Sequence, residues 1–260
     1  MTLTASIVLY KSDPEVLHKC ISSFLDTQID VKLFLIDNSP TSELKEFSFD
    51  KRINYIYNPS NPGFGISHNI AIDKVFEINS NYHLVLNPDI YFQKGTLEKI
   101  IEFLESNVSV GLLMPKVLYP DETFQYLCKQ KPTVLDLFLR GFAPKIVKKL
   151  FKKRINNFCY KNYNLNSIIY DVPYLSGCFM FFRLNELKKL GGFDPRFFMY
   201  MEDADLSYRF YLYSKTCYLP YAHVYHYYSG LTHKSLKYKL ITIKSVFIYF
   251  NKWGWLKNIL

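Results

Sequence analysis

The chain of 260 residues has no regularly spaced cysteines. Its five cysteines are odd in number and widely scattered, and no two of them form a Cys-x-x-Cys pair. They therefore indicate neither a zinc site nor a disulfide framework. The sequence also has no internal repeat and no low-complexity linker. A chain of this length is instead expected to bury a substantial apolar core, as one large domain or two small ones.

Two further absences concern secretion and membranes. The first residues, MTLTASIVLYKSD, have no basic n-region, and Lys11 and Asp13 interrupt their short apolar run. No signal peptide is therefore predicted. No uninterrupted apolar run reaches about 18 residues, the length that indicates a spanning helix. We expect a cytoplasmic protein that is at most peripheral to the inner face of the membrane.

The composition is that of a basic globular protein. Hydrophobic residues make up 49% and charged residues 21%, and the net charge is +9. The positive charge suggests an anionic partner such as a nucleotide, a phospholipid surface or nucleic acid. Nucleic acid is disfavoured, because no RNP-like, zinc-finger or helix-turn-helix pattern is visible. The carboxylates at 202–205 would also repel phosphate without a metal.

Strand-like and helix-like patterns alternate over the first 120 residues, which predicts a parallel sheet with right-handed crossovers. The predicted strands are Ala5–Leu9, Val31–Ile36, Ile53–Tyr57 and His83–Leu86, and the predicted helices are Pro14–Asp26, Ile66–Phe76 and Thr96–Glu105. Polar clusters follow three of these strands, at 37–38, 58–61 and 87–89. In such sheets, ligands bind at the carboxyl ends of the strands.

The segment Asn61-Pro62-Gly63-Phe64-Gly65 leads into a predicted helix. Its two glycines would let the backbone approach a ligand, and the helix N-terminus would favour an anion. The spacing differs from the G-x-G-x-x-G dinucleotide fingerprint, which also follows the first strand rather than a later one. By itself the segment is equally consistent with an ordinary turn.

Asp89 presents a carboxylate after a buried strand, next to Pro88. With a diphosphate nearby it could hold Mg²⁺ or Mn²⁺, and His226 could supply a nitrogen ligand. The alternatives are an Asx-turn for Asp89 and a packed side chain for His226.

Three acids, Glu202, Asp203 and Asp205, lie directly behind an aromatic run. Such a cluster is costly unless the charges meet a cation, a donor or a reaction, although acids are also favoured at a solvated helix N-terminus. Asp205 and Arg209 are four residues apart on the predicted helix, which favours a structural ion pair. Glu202 and Asp203 are expected just before that helix, and Asp203 is the predicted general base.

Together these motifs resemble glycosyltransferase family 2, the inverting nucleotide-sugar transferases of GT-A fold. The likeness is strongest to the rhamnosyltransferase-like branch that builds O-antigen and other bacterial surface polysaccharides. It runs from about residue 4 to residue 230. The matching pieces are Tyr10, Asp37-Asn38-Ser39, Asn61 with Gly63, Gly65 and Asn69, Asn87-Pro88-Asp89, Ser176-Gly177-Cys178-Phe179-Met180 through Arg183, Gly191-Gly192-Phe193-Asp194, Glu202-Asp203-Ala204-Asp205-Leu206, and His226.

The resemblance implies an α/β fold of GT-A type, with a Rossmann-like, mostly parallel central sheet flanked by helices. Residues 1–230 would form this domain, with a nucleotide-sugar half over about 1–115 and an acceptor half over about 116–230. Residues 231–260 would form a basic, aromatic C-terminal segment. The implied donor-binding residues are Tyr10, Asp37, Asn38, Asn61, Gly63, Gly65, Asn69, Asn87 and Asp89.

The resemblance also implies a mechanism. Asp89 and His226 would hold Mg²⁺ or Mn²⁺ on the donor diphosphate, and Asp203 would deprotonate the acceptor hydroxyl. Glu202, Gly177 and Cys178 would line the sugar and acceptor side. In the metal motif Asn87 stands where the family often has Asp, which leaves the identity of the metal open.

The expected donor is dTDP-L-rhamnose, with a UDP-hexose as the alternative. The expected acceptor is a polyprenyl-diphosphate-linked oligosaccharide. Residues 145–154, KIVKKLFKKR, would form an amphipathic basic helix that rests on an anionic membrane, unless it is simply solvated. Residues 231–260 would also suit the membrane interface. The sequence does not predict the oligomeric state.

Two other functions fit parts of the pattern. A sugar nucleotidyltransferase would also need a nucleotide site and an acid-bound metal, but no Gly-rich loop with Arg or Lys follows the first strand. A non-catalytic nucleotide-sugar binding protein is disfavoured by the retained Asp89, Asp203 and His226.

Overall fold

The first half of the chain alternates strands and helices, as the sequence predicts. The computed structural model describes residues 1–78, 80–228 and 236–255. The elements of this half are β1 (Thr2–Leu9), α1 (Pro14–Leu25), β2 (Asp30–Asp37), a 3₁₀ helix (Glu43–Phe47), β3 (Ile53–Tyr57), α2 (Phe64–Val75) and β4 (Tyr82–Leu86). β1 lies between β2 and β4 and is parallel to both, and β2 is parallel to β3. The predicted parallel unit is confirmed.

Local chemistry explains these elements. The apolar side chains of β1 and β4 are fully buried except for the partly buried Val8, because helices cover the sheet. Helix α1 begins after Asp13, whose carboxylate accepts a hydrogen bond from the backbone N–H of Val16 at 3.0 Å. These strands end together at one edge of the sheet, which becomes the rim of the cleft described below.

The second half adds strands of both directions. Its elements are β5 (Ile90–Tyr91), α3 (Thr96–Ser106), β6 (Val110–Leu118), α4 (Val134–Gly141), α5 (Lys145–Leu150), α6 (Lys152–Phe158), β7 (Ile169–Tyr170), β8 (Phe179–Arg183), α7 (Leu184–Leu190), α8 (Glu202–Tyr213), β9 (Lys215–His226) and α9 (Leu236–Trp253). The strand order of the whole sheet is β3-β2-β1-β4-β8-β6-β9-β5, with β7 on β9.

The sheet is mixed rather than mostly parallel. β8 is antiparallel to both of its neighbours, β4 and β6, and β5 and β7 are antiparallel to β9. Only β6 and β9 continue the parallel arrangement in this half. The alternation of strand and helix patterns in the sequence ends near Met114. The antiparallel strands β5, β7 and β8 have only two to five residues, which is too few for a sequence pattern to indicate their direction.

The single amphipathic helix predicted over 145–154 is wrong. The structure has two short helices, α5 and α6, and Phe151 between them is not helical, with φ −97° and ψ 18°. Lysines four apart, at 148 and 152 and at 149 and 153, repel each other along a continuous helix. Arg154 instead joins α6 to α4 through an ion pair with Asp136, with 2.7 Å between Nε and Oδ1.

Part of the C-terminal segment packs on the domain. Tyr249 and Phe250 of α9 are buried in a cluster with Tyr174, Phe197 and Met201. Residues 231–235 and 256–260, which the predicted segment also includes, lie outside the described residues. In the part of the chain that the structure describes, no helix is long and apolar enough to cross a membrane.

Gly63 allows the start of α2 to contact the loop that precedes α8. Its φ is +107°, and a Cβ atom there would lie 2.1 Å from the carbonyl oxygen of Phe198. We expect Gly63→Ala to lower the free energy of unfolding by roughly 2 kcal/mol or more, from backbone strain plus steric clash. Urea denaturation measures this loss.

Gly95→Ala is a control for a positive φ without a steric clash. Gly95 also has a positive φ, +86°, but nothing lies within 4 Å of its added Cβ. We expect a loss of about 1 kcal/mol there. Equal losses in the two variants would show that the clash with Phe198 adds nothing to the cost of Gly63→Ala.

Candidate active site

A cleft of about 750 Å³ opens where β4 ends and β8 begins. It contains seven of the fourteen site residues predicted from the sequence, including all those predicted for catalysis and for metal binding. Those residues are Asn87, Asp89, Gly177, Cys178, Glu202, Asp203 and His226. Ligands are expected at this edge of an α/β sheet. Residues more than a hundred positions apart therefore share one cavity.

Asp203 is fixed from three directions. Its Oδ2 accepts a hydrogen bond from the N–H of Gly177 at 2.9 Å, and its Oδ1 accepts one from the N–H of Ala204 at 2.9 Å. The hydroxyl of Tyr174 lies 3.2 Å from both oxygens. A carboxylate has about four lone-pair positions, so one is left for a ligand hydroxyl in the cleft. The carboxylate is thus held in place while still able to accept a proton.

Glu202 is the first residue of α8, and Asp203 is the second, so the expectation that both precede the helix is wrong. Glu202 is only 5% exposed, and its Oε2 has no hydrogen-bond partner among the described residues. Burial, and then the negative charge of Asp203, raise the pKa of Glu202 above its ordinary value. This environment favours the neutral carboxylic acid, whose hydroxyl would donate to a sugar oxygen.

Asp205 has a structural role, as its spacing predicts. It is fully buried and pairs with Arg209, with 2.9 Å between Oδ2 and Nε. Its Oδ1 accepts a hydrogen bond from the indole of Trp253 at 2.8 Å and pairs with Lys252 at 2.7 Å. These contacts hold α9 against α8 and leave Asp205 without access to the cleft.

Asp89 and His226 face each other across the other side of the cleft, with 3.3 Å between Oδ1 and Nε2. Gln125 determines the tautomer of His226. The amide nitrogen of Gln125 donates to the backbone carbonyl of His226 at 2.7 Å, so its amide oxygen faces Nδ1 at 2.9 Å. A carbonyl oxygen only accepts, so Nδ1 carries the proton and neutral His226 presents a lone pair at Nε2.

This geometry fits a divalent cation. The Oδ1 of Asp89 is buried without a hydrogen-bond partner among the described residues. It faces Nε2 of His226, and the pair is satisfied either by a proton on Nε2 or by a divalent cation between the two atoms. Carboxylate oxygens suit Mg²⁺ and Mn²⁺, which retain phosphate and water in their shells, and the imidazole ligand favours Mn²⁺ over Mg²⁺. In the described part of the chain no group of three or more His, Cys, Asp or Glu could hold a metal, so the protein would supply two ligands.

The other predicted donor-binding residues lie outside this cleft. Asp37 is fully buried, and its oxygens accept hydrogen bonds from the N–H of Ser39 at 2.9 Å and the hydroxyl of Tyr55 at 2.6 Å. Asn38 donates to Ser67 at 2.7 Å and accepts from Asn58 at 3.1 Å. Each of these two side chains already has partners, and a nucleotide contact would be an additional bond.

Residues of the 61–69 segment form contacts within the protein, mainly with Phe193. Asn69 exchanges two hydrogen bonds with the backbone of Phe193, at 2.8 and 2.9 Å. Gly65 packs so closely on Phe193 that a Cβ atom would lie 2.9 Å from that side chain. Asn61 and Gly63 have positive φ and present Phe64 to the cleft. Tyr10 is 47% exposed after the end of β1 and does not line the cleft. Contact of these residues with a nucleotide remains a prediction.

Among the cleft residues that were not predicted from the sequence are Gln125, Lys129 and Tyr174. Gln125 and Lys129 lie in an irregular segment after β6, and Tyr174 lies before β8. No motif distinguishes them from other polar or aromatic residues. Only the fold brings them next to His226 and Asp203.

The sequence and the fold both match known glycosyltransferases. Residues 4–191 match the sequence model described as "Glycosyl transferase family 2". An N-acetylglucosaminyl-diphospho-decaprenol L-rhamnosyltransferase of Mycobacterium tuberculosis is 26% identical over 77% of this chain and 67% of its own. The rhamnosyltransferase WbbL of Escherichia coli is 31% identical over 64% of this chain and 61% of its own. This chain thus spans about two thirds of these relatives.

The crystal structure of GalNAc-T7 with UDP, GalNAc and Mn²⁺ has a similar fold. Its TM-score is 0.64 at 14% identity, over 87% of this chain and 43% of that one. The likeness at this identity supports the GT-A fold. The predicted fold class is therefore confirmed, with the mixed strand directions described above.

We expect Gln125→Met to weaken metal binding by about 10- to 100-fold. Methionine has a similar volume but can neither fix the tautomer of His226 nor bond to its carbonyl. The measurement is Mn²⁺ affinity by isothermal titration calorimetry or electron paramagnetic resonance, with a nucleoside diphosphate present. Asn164→Met, an exposed amide outside the cleft, is the control. Unchanged Mn²⁺ affinity in Gln125→Met would contradict the assignment of His226 as a ligand oriented by Gln125.

Proposed function

The chain belongs to glycosyltransferase family 2, and we propose that it transfers a sugar from a nucleotide-sugar donor to a lipid-linked acceptor with inversion at the anomeric carbon. The observation that carries this proposal is the position of Asp203. Its anchored carboxylate shares one cleft with Asp89 and His226, so a base and a site for the donor diphosphate face the same space.

The proposed reaction is a single displacement. Asp203 takes the proton of the acceptor hydroxyl as its oxygen bonds to the anomeric carbon. The bond from that carbon to the phosphate oxygen breaks, and its electrons leave with the nucleoside diphosphate. When bound by Asp89 and His226, Mg²⁺ or Mn²⁺ would stabilise the charge of that leaving group. Attack opposite the leaving group inverts the configuration of the anomeric carbon.

The proposed donor is dTDP-L-rhamnose, with a UDP-hexose as the alternative. Both relatives compared above are named as rhamnosyltransferases, and one name specifies a sugar on diphospho-decaprenol as acceptor. By analogy, the acceptor here is a sugar hydroxyl on a polyprenyl diphosphate, and the product contributes to O-antigen or another surface polysaccharide. A β-linked rhamnose donor would yield an α-L-rhamnoside.

A membrane-bound acceptor would require contact with the bilayer, and α4 to α5 expose apolar side chains beside lysines. Ile146 and Leu150 of α5 are 78% and 79% exposed, and Phe138 and Phe142 at the end of α4 are 49% and 55% exposed. Lys145 and Lys149 are exposed next to them. Apolar side chains flanked by lysines bind anionic lipid surfaces. We propose that this surface rests on the cytoplasmic leaflet.

Replacing Asp203 by Asn should reduce kcat by about 10²- to 10⁴-fold, the usual contribution of a general base. Binding of dTDP or UDP with Mn²⁺, measured by calorimetry, should remain unchanged because Asp203 contacts the acceptor. The melting temperature is compared in parallel, since Asn places an amide near the backbone donors of Gly177 and Ala204. Turnover at the wild-type rate in this variant would reject Asp203 as the base.

The double variant Ile146→Asp, Leu150→Asp should reduce binding to anionic phospholipid vesicles about tenfold or more, because two exposed apolar side chains are lost from the interface. Val108→Asp, Leu212→Asp is the matched control. These residues are 77% and 60% exposed near the opposite edge of the sheet, where β6 and β9 begin. Equal vesicle co-sedimentation of both double variants would remove the membrane surface from the proposal.

A further inference from the structure

Three cations that line the cleft, called the cationic wall below, form no ion pairs with the acidic side chains that the structure describes. Lys129, Arg140 and Lys161 all line the cleft that contains Asp203. Within the described residues, none of the three forms an ion pair. The other charged groups of the cleft are mainly the acids Asp89, Glu202 and Asp203. The cationic wall is therefore available for an anionic ligand.

Each of these cations lies over an aromatic ring. Nζ of Lys129 is 4.2 Å from the ring centre of Tyr174, and Nζ of Lys161 is 4.8 Å from that of Tyr126. The guanidinium of Arg140 is 5.4 Å from the ring centre of Phe158. A cation–π contact positions a cation without occupying its N–H donors. Those donors remain available for oxygen atoms of a ligand.

Lys129 is the least expected of the three. It is only 8% exposed and lines the cleft, and its Nζ lies over the ring of Tyr174 rather than in an ion pair with a carboxylate. A largely buried lysine of this kind is unfavourable unless water or a ligand reaches its ammonium group. Burial, and then the positive charge of Arg140, lower the pKa of Lys129 to about 8, so it is still mainly cationic at neutral pH.

The position of Lys129 beside Tyr174 and Asp203 distinguishes the cationic wall from the proposed donor diphosphate site at Asp89 and His226. Lys129 lies over the ring of Tyr174, and the hydroxyl at the far end of that ring bonds to Asp203 at 3.2 Å. The ammonium and the proposed base therefore contact the same tyrosine. A phosphate bound by Lys129 would lie close to the proposed base, as it does in an acceptor with few atoms between its reacting hydroxyl and its diphosphate.

The wall also leads to the apolar surface of α4 and α5. Arg140 lies on α4, and its carbonyl accepts a hydrogen bond from Lys148 of α5 at 2.9 Å. The exposed Phe138 and Phe142 are its near neighbours in sequence. A prenyl chain leaving the cationic wall over α4 would therefore reach apolar side chains.

We propose that Lys129, Arg140 and Lys161 form a second diphosphate site, which binds the diphosphate of the acceptor lipid one sugar away from Asp203. The inference rests on the proposed function and adds the residues that select the acceptor. It implies that the preferred acceptor carries a single sugar on its diphosphate, because a second sugar would move the phosphate away from Lys129.

Kinetics with two acceptors test the site. One acceptor is N-acetylglucosaminyl-diphospho-geranylgeraniol, and the other is the same sugar as an alkyl glycoside without phosphate. We expect Lys129→Met to lower kcat/KM for the diphosphate-linked acceptor by 10- to 100-fold, and by at least tenfold more than for the alkyl glycoside. The KM of the nucleotide sugar should stay within twofold of wild type.

Lys131→Met is the matched control. Lys131 lies two residues away and also stacks on a tyrosine, with 4.3 Å to the ring centre of Tyr208, but it does not line the cleft. It should leave both kcat/KM values unchanged. Equal losses for the two acceptors in Lys129→Met, or an increased KM for the nucleotide sugar, would overturn the assignment to the acceptor diphosphate.

A binding measurement separates this inference from the proposed reaction. Geranylgeranyl diphosphate is titrated into the wild-type protein with Mn²⁺ and saturating dTDP or UDP, so that the donor site is occupied. We expect binding that geranylgeraniol does not reproduce and that Lys129→Met weakens at least tenfold. Binding abolished by the nucleotide would assign these cations to the donor and overturn the inference. Transfer to the alkyl glycoside without any lipid diphosphate binding would support the transferase and reject this site.

Discussion

The antiparallel pairing of β8 with β4 places the catalytic groups in one cleft. Parallel strands β1 to β4 all end at one edge of the sheet, and β8 runs in the opposite direction, so it begins at that edge. The N–H of Asn87 bonds to the carbonyl of Cys178 at 2.9 Å, directly at the junction. The neighbouring Gly177 then bonds to Asp203. Reversal of this one strand would move Gly177, and with it the anchor of Asp203, to the far edge of the sheet.

The electrostatics of the cleft follow from how each charge is compensated. Asp203 has backbone and hydroxyl donors, whereas Glu202 has none at Oε2, and burial beside Asp203 raises the pKa of Glu202. Asp89 faces Nε2 of His226, whose Nδ1 is held by Gln125, and the three cations lie over aromatic rings. The cleft therefore contains one group of side chains suited to a cation and another suited to an anion. A reaction between a nucleotide sugar and a diphosphate-linked acceptor needs both.

Sequence patterns predict the first half of this structure and the main chemical residues of the cleft. Buried strands such as β1 and β4 are recognisable because their sequences are rich in apolar residues and are bounded by turns. Asp203 is recognisable as a candidate because its carboxylate follows a run of apolar and aromatic residues. The pattern does not separate a polar side chain that binds a ligand from one that supports the fold. Asn69 illustrates this, because its amide bonds to the backbone of Phe193 more than a hundred residues away. Gln125 and Lys129 acquire their positions only through tertiary packing.

Product analysis tests the proposed transfer most directly. The protein is incubated with dTDP-L-rhamnose or a UDP-hexose, Mn²⁺ or Mg²⁺, and an acceptor sugar on a prenyl diphosphate, and the product is examined by mass spectrometry and proton NMR. We predict metal-dependent addition of one sugar with inverted anomeric configuration. Retained configuration, or release of sugar without transfer from every donor in the presence of a bound acceptor, would contradict a single displacement in which Asp203 is the base.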